Sequence, residues 1–123
     1  MRILLADHQS RVRFALRALL AQRPELRIVG EAVDAEDLLT QARVKCPDLI
    51  LLDWGLQGLA AMDLLALRKV CPDVVVIVLS GRPEARQATL EAGADAFVSK
   101  TDSPERLLVT IDHYWHTNQG VEG

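Results

Sequence analysis

The chain has 123 residues, half of them hydrophobic and a quarter charged, and a net charge of −3. That length suits one domain with a real core, and the acidic balance argues against a nucleic-acid surface, which needs a basic patch. Aromatic residues make up only 4%, so aliphatic side chains must fill the interior. No signal peptide or membrane span is visible, since the opening apolar run Ile3–Ala6 is short and stops at Asp7. A cytoplasmic protein without a membrane partner is expected.

In chain order, Ile3–Ala6 reads as a first strand. Val12, Ala15, Leu16, Leu19 and Leu20 follow the i, i+3, i+4, i+7, i+8 spacing of one helix face, with Arg11, Arg13 and Arg17 as solvated positions. Arg27–Val33 is a weaker strand. Ala35, Leu38, Leu39 and Ala42 mark a second helix, and Leu49–Leu52 a strand. A third helix, roughly Leu59–Val70, is apolar nearly all round and hides its buried face. Val74–Leu79 is the longest apolar run. Glu84–Ala92 is a weak helix closing at Gly93, a C-terminal cap, and Ala94–Val98 a short strand. The last helix opens with Ser103 as N-cap and Pro104 in first position, then sets Leu107, Leu108, Ile111 and Trp115 on one face. Residues 1–117 are expected to form the domain and 118–123 a flexible tail.

The three strong strands are continuous runs and do not alternate, as expected of parallel strands covered on both faces. Strand–helix alternation repeated five times gives an open parallel sheet between two helical layers. Cys46-Pro47-Asp48 and Cys71-Pro72-Asp73 repeat one signal, a helix stop before a strand. The cysteines themselves read as two small buried thiols in preference to a redox pair, because reducing cytosol disfavours disulfides.

Ligands of such folds collect at the carboxyl ends of the strands. Asp7 and His8 follow the first strand, Asp53 ends the third, Ser80 ends the fourth and Lys100 follows the fifth. Taken singly, each is an ordinary loop or surface residue. Together they make a chemical set. A carboxylate at Asp53 can attack phosphorus to give an acyl phosphate, a divalent cation can offset the transferring charge, and Lys100 and Ser80 can hold phosphoryl oxygens.

The stretches Ile3–Asp7, Pro47–Asp53, Val76–Ser80 and Leu90–Lys100 together resemble the response-regulator receiver family, over almost the whole chain. Arg17-Ala18-Leu19-Leu20, Val29-Gly30-Glu31-Ala32 and Ser103-Pro104-Glu105 are similar to receivers that carry LuxR-type helix-turn-helix outputs. The resemblance implies a flavodoxin-like (βα)5 doubly wound sandwich, strand order 2-1-3-4-5. It implies Asp53 as phosphoacceptor and a histidine kinase or phosphotransfer protein as donor. Ser80 matches the switch hydroxyl, Lys100 the phosphate-binding lysine and Phe97 the switch aromatic. Magnesium would be held by Asp7, Asp53 and the backbone carbonyl of Gly55. The signal would leave through the helix Glu84–Ala92, the strand Ala94–Val98 and the last helix, towards an output domain or protein. Self-association through that face is left open. Such a chain catalyses only its own phosphotransfer and slow dephosphorylation.

Three departures stand out. The second member of the family's acidic pair is here His8. The loop after the acceptor, Leu56-Gln57-Gly58-Leu59-Ala60-Ala61, lacks the usual proline and Asp-Gly pair, and bulky Trp54 follows Asp53 directly. Imidazole suits magnesium poorly, so weaker magnesium binding with manganese preferred stands beside a His8 that turns away and leaves its position to water. When protonated, His8 could itself supply part of the cation's charge. These departures sustain a rival reading, a pseudo-receiver used for phosphorylation-independent interaction or dimerisation. A phosphatase is disfavoured, since no second acid lies two residues after Asp53, and nucleotide binding lacks a glycine-rich loop. His113 and His116 read as exposed imidazoles at a helix end, and Arg82 and Arg86 as a solvated face.

Overall fold

The computed structural model describes residues 1–59 and 64–120, with backbone alone for 116–120. Among these described residues five strands and five α-helices alternate: β1 Arg2–Ala6, α1 Ser10–Leu20, β2 Arg27–Ala32, α2 Ala35–Lys45, β3 Leu49–Asp53, α3 Leu64–Val70, β4 Val75–Ser80, α4 Arg86–Glu91, β5 Ala96–Ser99 and α5 Pro104–Gly120. All strand pairs are parallel, in the order β2-β1-β3-β4-β5. This is the flavodoxin-like doubly wound arrangement expected from the sequence.

Side chains alternate across a strand, and both faces here are apolar. Leu4, Ala6, Ile50, Leu52, Val76 and Val78 face one core, closed by Leu38 and Ala42 of α2 and Leu64 and Leu67 of α3. Ile3, Leu5, Leu49, Leu51, Ile77 and Leu79 face the other, closed by Leu20 of α1 and by Leu107, Leu108 and Ile111 of α5. The continuous apolar runs are the sum of these two alternating sets.

Local signals set most boundaries. Asp34 caps α2 by accepting the N–H of Asp37 at 2.7 Å. Cys46 ends α2 in the left-handed region at φ 41°. Gly93, at φ 110°, follows α4 as expected of a cap.

Several expectations are corrected. The weak helix expected from Glu84 is a single 3-10 turn, Pro83–Ala85, followed by a short α4 in which only Thr89 is buried. β5 begins two residues later than expected, at Ala96. Ala15 is exposed, because α1 and α5 flank an open groove of about 570 Å³ whose lining includes Val12, Ala15, Leu16 and Leu107. Tyr114, and not Trp115, joins the core on the α5 side, and its hydroxyl donates to the Asp95 carbonyl at 2.8 Å. Arg13 is no solvated residue, since its side chain is only 15% exposed. The start of the third helix as expected, 60–63, lies outside the described residues, as do 121–123 of the expected tail; α5 continues to Gly120.

Candidate functional site

Register brings the polar strand ends together. Ala6 pairs with Leu52, which sets Asp7 level with Asp53. Asp53 pairs with Leu79 and Ser80 with Ser99, so Ser80 and Lys100 follow at successive steps along the same edge. Lys100 is drawn to β4 by its own backbone, whose N–H donates to the Ser80 carbonyl at 2.7 Å.

At the centre, the Lys100 ammonium donates to Asp7 Oδ2 at 3.0 Å and to Asp53 Oδ1 at 3.1 Å. Both carboxylates are buried. Burial works to lower the lysine's pKa, but hydrogen bonds and charge from Asp7 and Asp53 outweigh it and hold the ammonium above its ordinary value. Asp7 is fixed further by the Gln9 N–H, which donates to Oδ1 at 2.9 Å, and by Arg13, whose guanidinium donates to the Asp7 carbonyl at 2.6 Å. Arg13 also donates to Glu31 at 3.0 Å and so ties the site to β2. The helical pattern alone hid Arg13. The signal that could have found it is Glu31, an acid near the end of the neighbouring strand.

His8 Nδ1 stands 3.7 Å from Asp53 Oδ2 and 3.8 Å from Asp7 Oδ1, with half its side chain in water. One donor atom from each of Asp7, His8 and Asp53 lies within 4.8 Å of the others. Two carboxylate oxygens and an imidazole nitrogen at that spacing fit a divalent cation, and the nitrogen tilts the set away from magnesium's all-oxygen preference. The Gly55 N–H donates to Asp53 Oδ1 at 3.3 Å. Asp53 Oδ2 accepts no hydrogen bond among the described residues, which leaves it the open oxygen of the carboxylate.

Ser80 is buried, and its Oγ accepts the Arg82 N–H at 3.1 Å. Phe97 is partly buried against the core on the α2–α3 side, where it pairs with Val78 across the ladder. Trp54 packs on that core too, so its bulk turns to the protein interior. The edge thus gathers Asp7, His8, Asp53 and Lys100 into contact, with Ser80 beside them on β4 and Phe97 further down β5.

This edge, with its acids and bridging lysine, agrees with the family comparison, in which the description "Response regulator receiver domain" matches residues 3–112. The chain belongs to the response regulator receiver domain family. The receiver is 35% identical over 112 residues to the nitrate/nitrite response regulator protein NarL of Escherichia coli strain K12, a match covering 89% of this chain and 52% of NarL. It spans about half the length of the curated relatives it matches. Among solved structures, a LuxR-family two-component response regulator from Aurantimonas sp. superposes with a TM-score of 0.78 at 28% identity, covering 92% of this chain and 83% of that one. RcsB of Salmonella typhimurium reaches a TM-score of 0.84 over 95% of this chain and 60% of its own, a likeness of fold at 22% identity. Among the described residues of the receiver, no helix is long and apolar enough to cross a membrane.

Proposed function

We propose that this receiver accepts a phosphoryl group on Asp53 and works as a two-component switch. One observation carries the reading: Lys100 bridges Asp7 and Asp53 while, among the described residues, Asp53 Oδ2 accepts no hydrogen bond. In the transfer, a carboxylate oxygen of Asp53 attacks the phosphorus of a phosphohistidine. The P–O bond forms as the P–N bond breaks, and the leaving imidazole keeps the electron pair and takes a proton. Lys100 then has a phosphoryl oxygen to pair with, and the Ser80 hydroxyl can donate to another.

Asp7, Asp53, the Gly55 carbonyl and His8 are the groups that would hold a divalent cation. Magnesium is the family's choice, and the imidazole favours manganese. Such an ion supplies positive charge against the transferring phosphoryl group.

Phosphorylation adds between roughly one and two negative charges at Asp53. Ser80 moves towards that charge and Phe97 takes up the space, so α4, β5 and α5 present a changed surface. The partners that follow are a histidine kinase or phosphotransfer protein upstream and an output domain or protein downstream, in the cytoplasm. A second copy of the chain is a further candidate for that face, and nucleic acid is not contacted by this chain itself. Residues 1–117 form the receiver unit, and its chemistry is limited to its own phosphotransfer and slow dephosphorylation.

The test is incubation with acetyl phosphate in magnesium, in manganese and without metal, read by intact mass with Asp53→Asn as control. A single phosphoryl adduct absent from that variant is expected, formed faster with manganese than with magnesium. No adduct under any condition overturns the reading in favour of a phosphorylation-independent interaction module.

A further inference from the structure

A second chemical feature lies at the sheet edge opposite Asp53, where the C-terminal ends of α2 and α3 meet. Cys46 caps α2, and its N–H donates to the Ala42 carbonyl at 2.8 Å. Cys71 directly follows α3, and its thiol donates to that same Ala42 carbonyl at 3.0 Å. The Cys46 thiol points in turn at the carbonyl of Val70, at 3.9 Å. Each thiol therefore reaches the backbone of the other helix, and the Ala42 carbonyl accepts from both the Cys46 N–H and the Cys71 thiol, which sets the two cysteines side by side. Cys46 is exposed and Cys71 is buried, so the expectation of two buried thiols is right for Cys71 alone.

We propose that Cys46 and Cys71 form a reversible intramolecular disulfide when the protein meets hydrogen peroxide, a modification site separate from the phosphorylation pocket. The exposed thiol reacts first. Cys46 loses its proton and its sulfur attacks one peroxide oxygen; the O–O bond breaks, a sulfenic acid forms, and the departing hydroxide takes a proton to become water. The Cys71 sulfur then attacks the sulfenic sulfur. The S–S bond forms, the S–O bond breaks, and the second hydroxide leaves as water with the proton of Cys71. Two thiols have lost two electrons and two protons, and one peroxide has taken them up.

The surroundings divide the two roles. Burial, with the neighbouring Cys46 adding to it, pushes the Cys71 thiol up to about 12, so it stays protonated and does not initiate. Its place is that of the resolving group, shielded from oxidant and already against its partner. In a reducing compartment the pair rests as thiols and the bridge is transient. Once formed, it fastens the end of α2 to the end of α3, across the lead-in to β3 and β4.

The full chain treated with hydrogen peroxide and then alkylated under denaturing conditions tests this. The expected product is monomeric, lighter by two hydrogens, without alkylatable thiol, and yields a Cys46 peptide joined to a Cys71 peptide. Its Tm should lie above that of the reduced protein, and dithiothreitol should return both. In Cys46→Ser, Cys71 should remain alkylatable after the same treatment. In Cys71→Ser, Cys46 should stop at a sulfenic acid that dimedone traps. Full alkylation of both thiols after peroxide overturns the proposal, as do bridges formed only between chains. Should Cys71→Ser not fold, the exposed-site variant decides, and a loss of two hydrogens that persists in Cys46→Ser is equally fatal.

Discussion

Lys100 and Asp53 lie on opposite sides of β4, and the lysine Nζ stands 3.1 Å from Asp53 Oδ1 while also holding Asp7 at 3.0 Å. One cation thus serves two buried carboxylates, and its removal leaves both without that partner. Lys100→Met should lower stability at neutral pH by about 2 kcal/mol, less than the roughly 3–5 kcal/mol for breaking a fully buried pair, because Lys100 keeps some contact with water. Urea unfolding of both proteins measures it. The pH dependence has a definite sign. The folded state holds the lysine proton more tightly than the unfolded chain, so the contribution is complete below the ordinary value of 10.5 and is lost as pH rises through the raised one. Cys71 and Tyr114, also raised, add alkaline losses of their own. The decisive quantity is therefore the difference between the two proteins, which should shrink over that window. A constant difference up to unfolding would contradict the assignment.

His8 stands where the resemblance to the receiver family implies an acid, and the difference can be reversed. Its Nδ1 is 3.7 Å from Asp53 Oδ2, close enough for a shared ion but with no charge to offer when neutral. His8→Asp restores a third carboxylate. Adding one charge near a half-exposed divalent ion is worth about 1.4 kcal/mol at the least, or about tenfold in affinity. Calorimetric titration should show magnesium binding at least that much tighter in His8→Asp, with the preference for manganese reduced. Equal magnesium affinity in the two proteins would mean that His8 turns away and water already fills its position.

How much of this was legible in the sequence differs from element to element. β1, β3 and β4 could be read because two buried faces make their interior positions a continuous apolar run, a signal that needs no knowledge of the partner strand. The site residues were legible for a related reason: a polar residue immediately after such a run must sit at the strand's end, and parallel strands share one carboxyl edge. What the pattern could not supply is anything that depends on a partner far away in sequence. Arg13 reads as a solvated helix position until Glu31 of β2 is placed beside it. Tyr114 and Trp115 are adjacent, and only the position of Asp95 selects the tyrosine for the core. α4 barely enters the core, with Thr89 as its only buried residue, so its segment carries little periodicity from which its bounds can be read. The meeting of Cys46 and Cys71 needed the packing of α2 against α3.

Ser80 is held ready by a backbone contact. Its Oγ accepts the N–H of Arg82 at 3.1 Å, and Arg82 is exposed, so water replaces the hydroxyl at little cost. Ser80→Ala should therefore keep wild-type stability to within about 0.5 kcal/mol. Its effect should appear in chemistry. Losing one hydrogen bond to a charged phosphoryl oxygen, worth about 1.5 kcal/mol, slows formation of the Asp53 adduct by about tenfold. A time course of intact mass with acetyl phosphate checks this, and an unchanged rate would remove Ser80 from the phosphate contacts.

Phe97 tests the step from chemistry to signal. It pairs with Val78, on the same face of the sheet as Ser80 two residues on, and it is only partly buried against that core. An aromatic ring in that position has room to change place without opening a cavity in the fully packed interior. Phe97→Ala should cost about 2 kcal/mol of stability, below the range for a wholly buried ring, and should leave adduct formation near the wild-type rate because the ring offers no group that can hold a phosphoryl oxygen. What it should remove is the response. In the wild-type protein, amide exchange across α4 and β5 should change on treatment with acetyl phosphate. In Phe97→Ala the adduct should form while exchange there stays as in the untreated protein. If exchange changes equally in both, the surface is altered by some route other than this ring, and Phe97 is a packing residue alone.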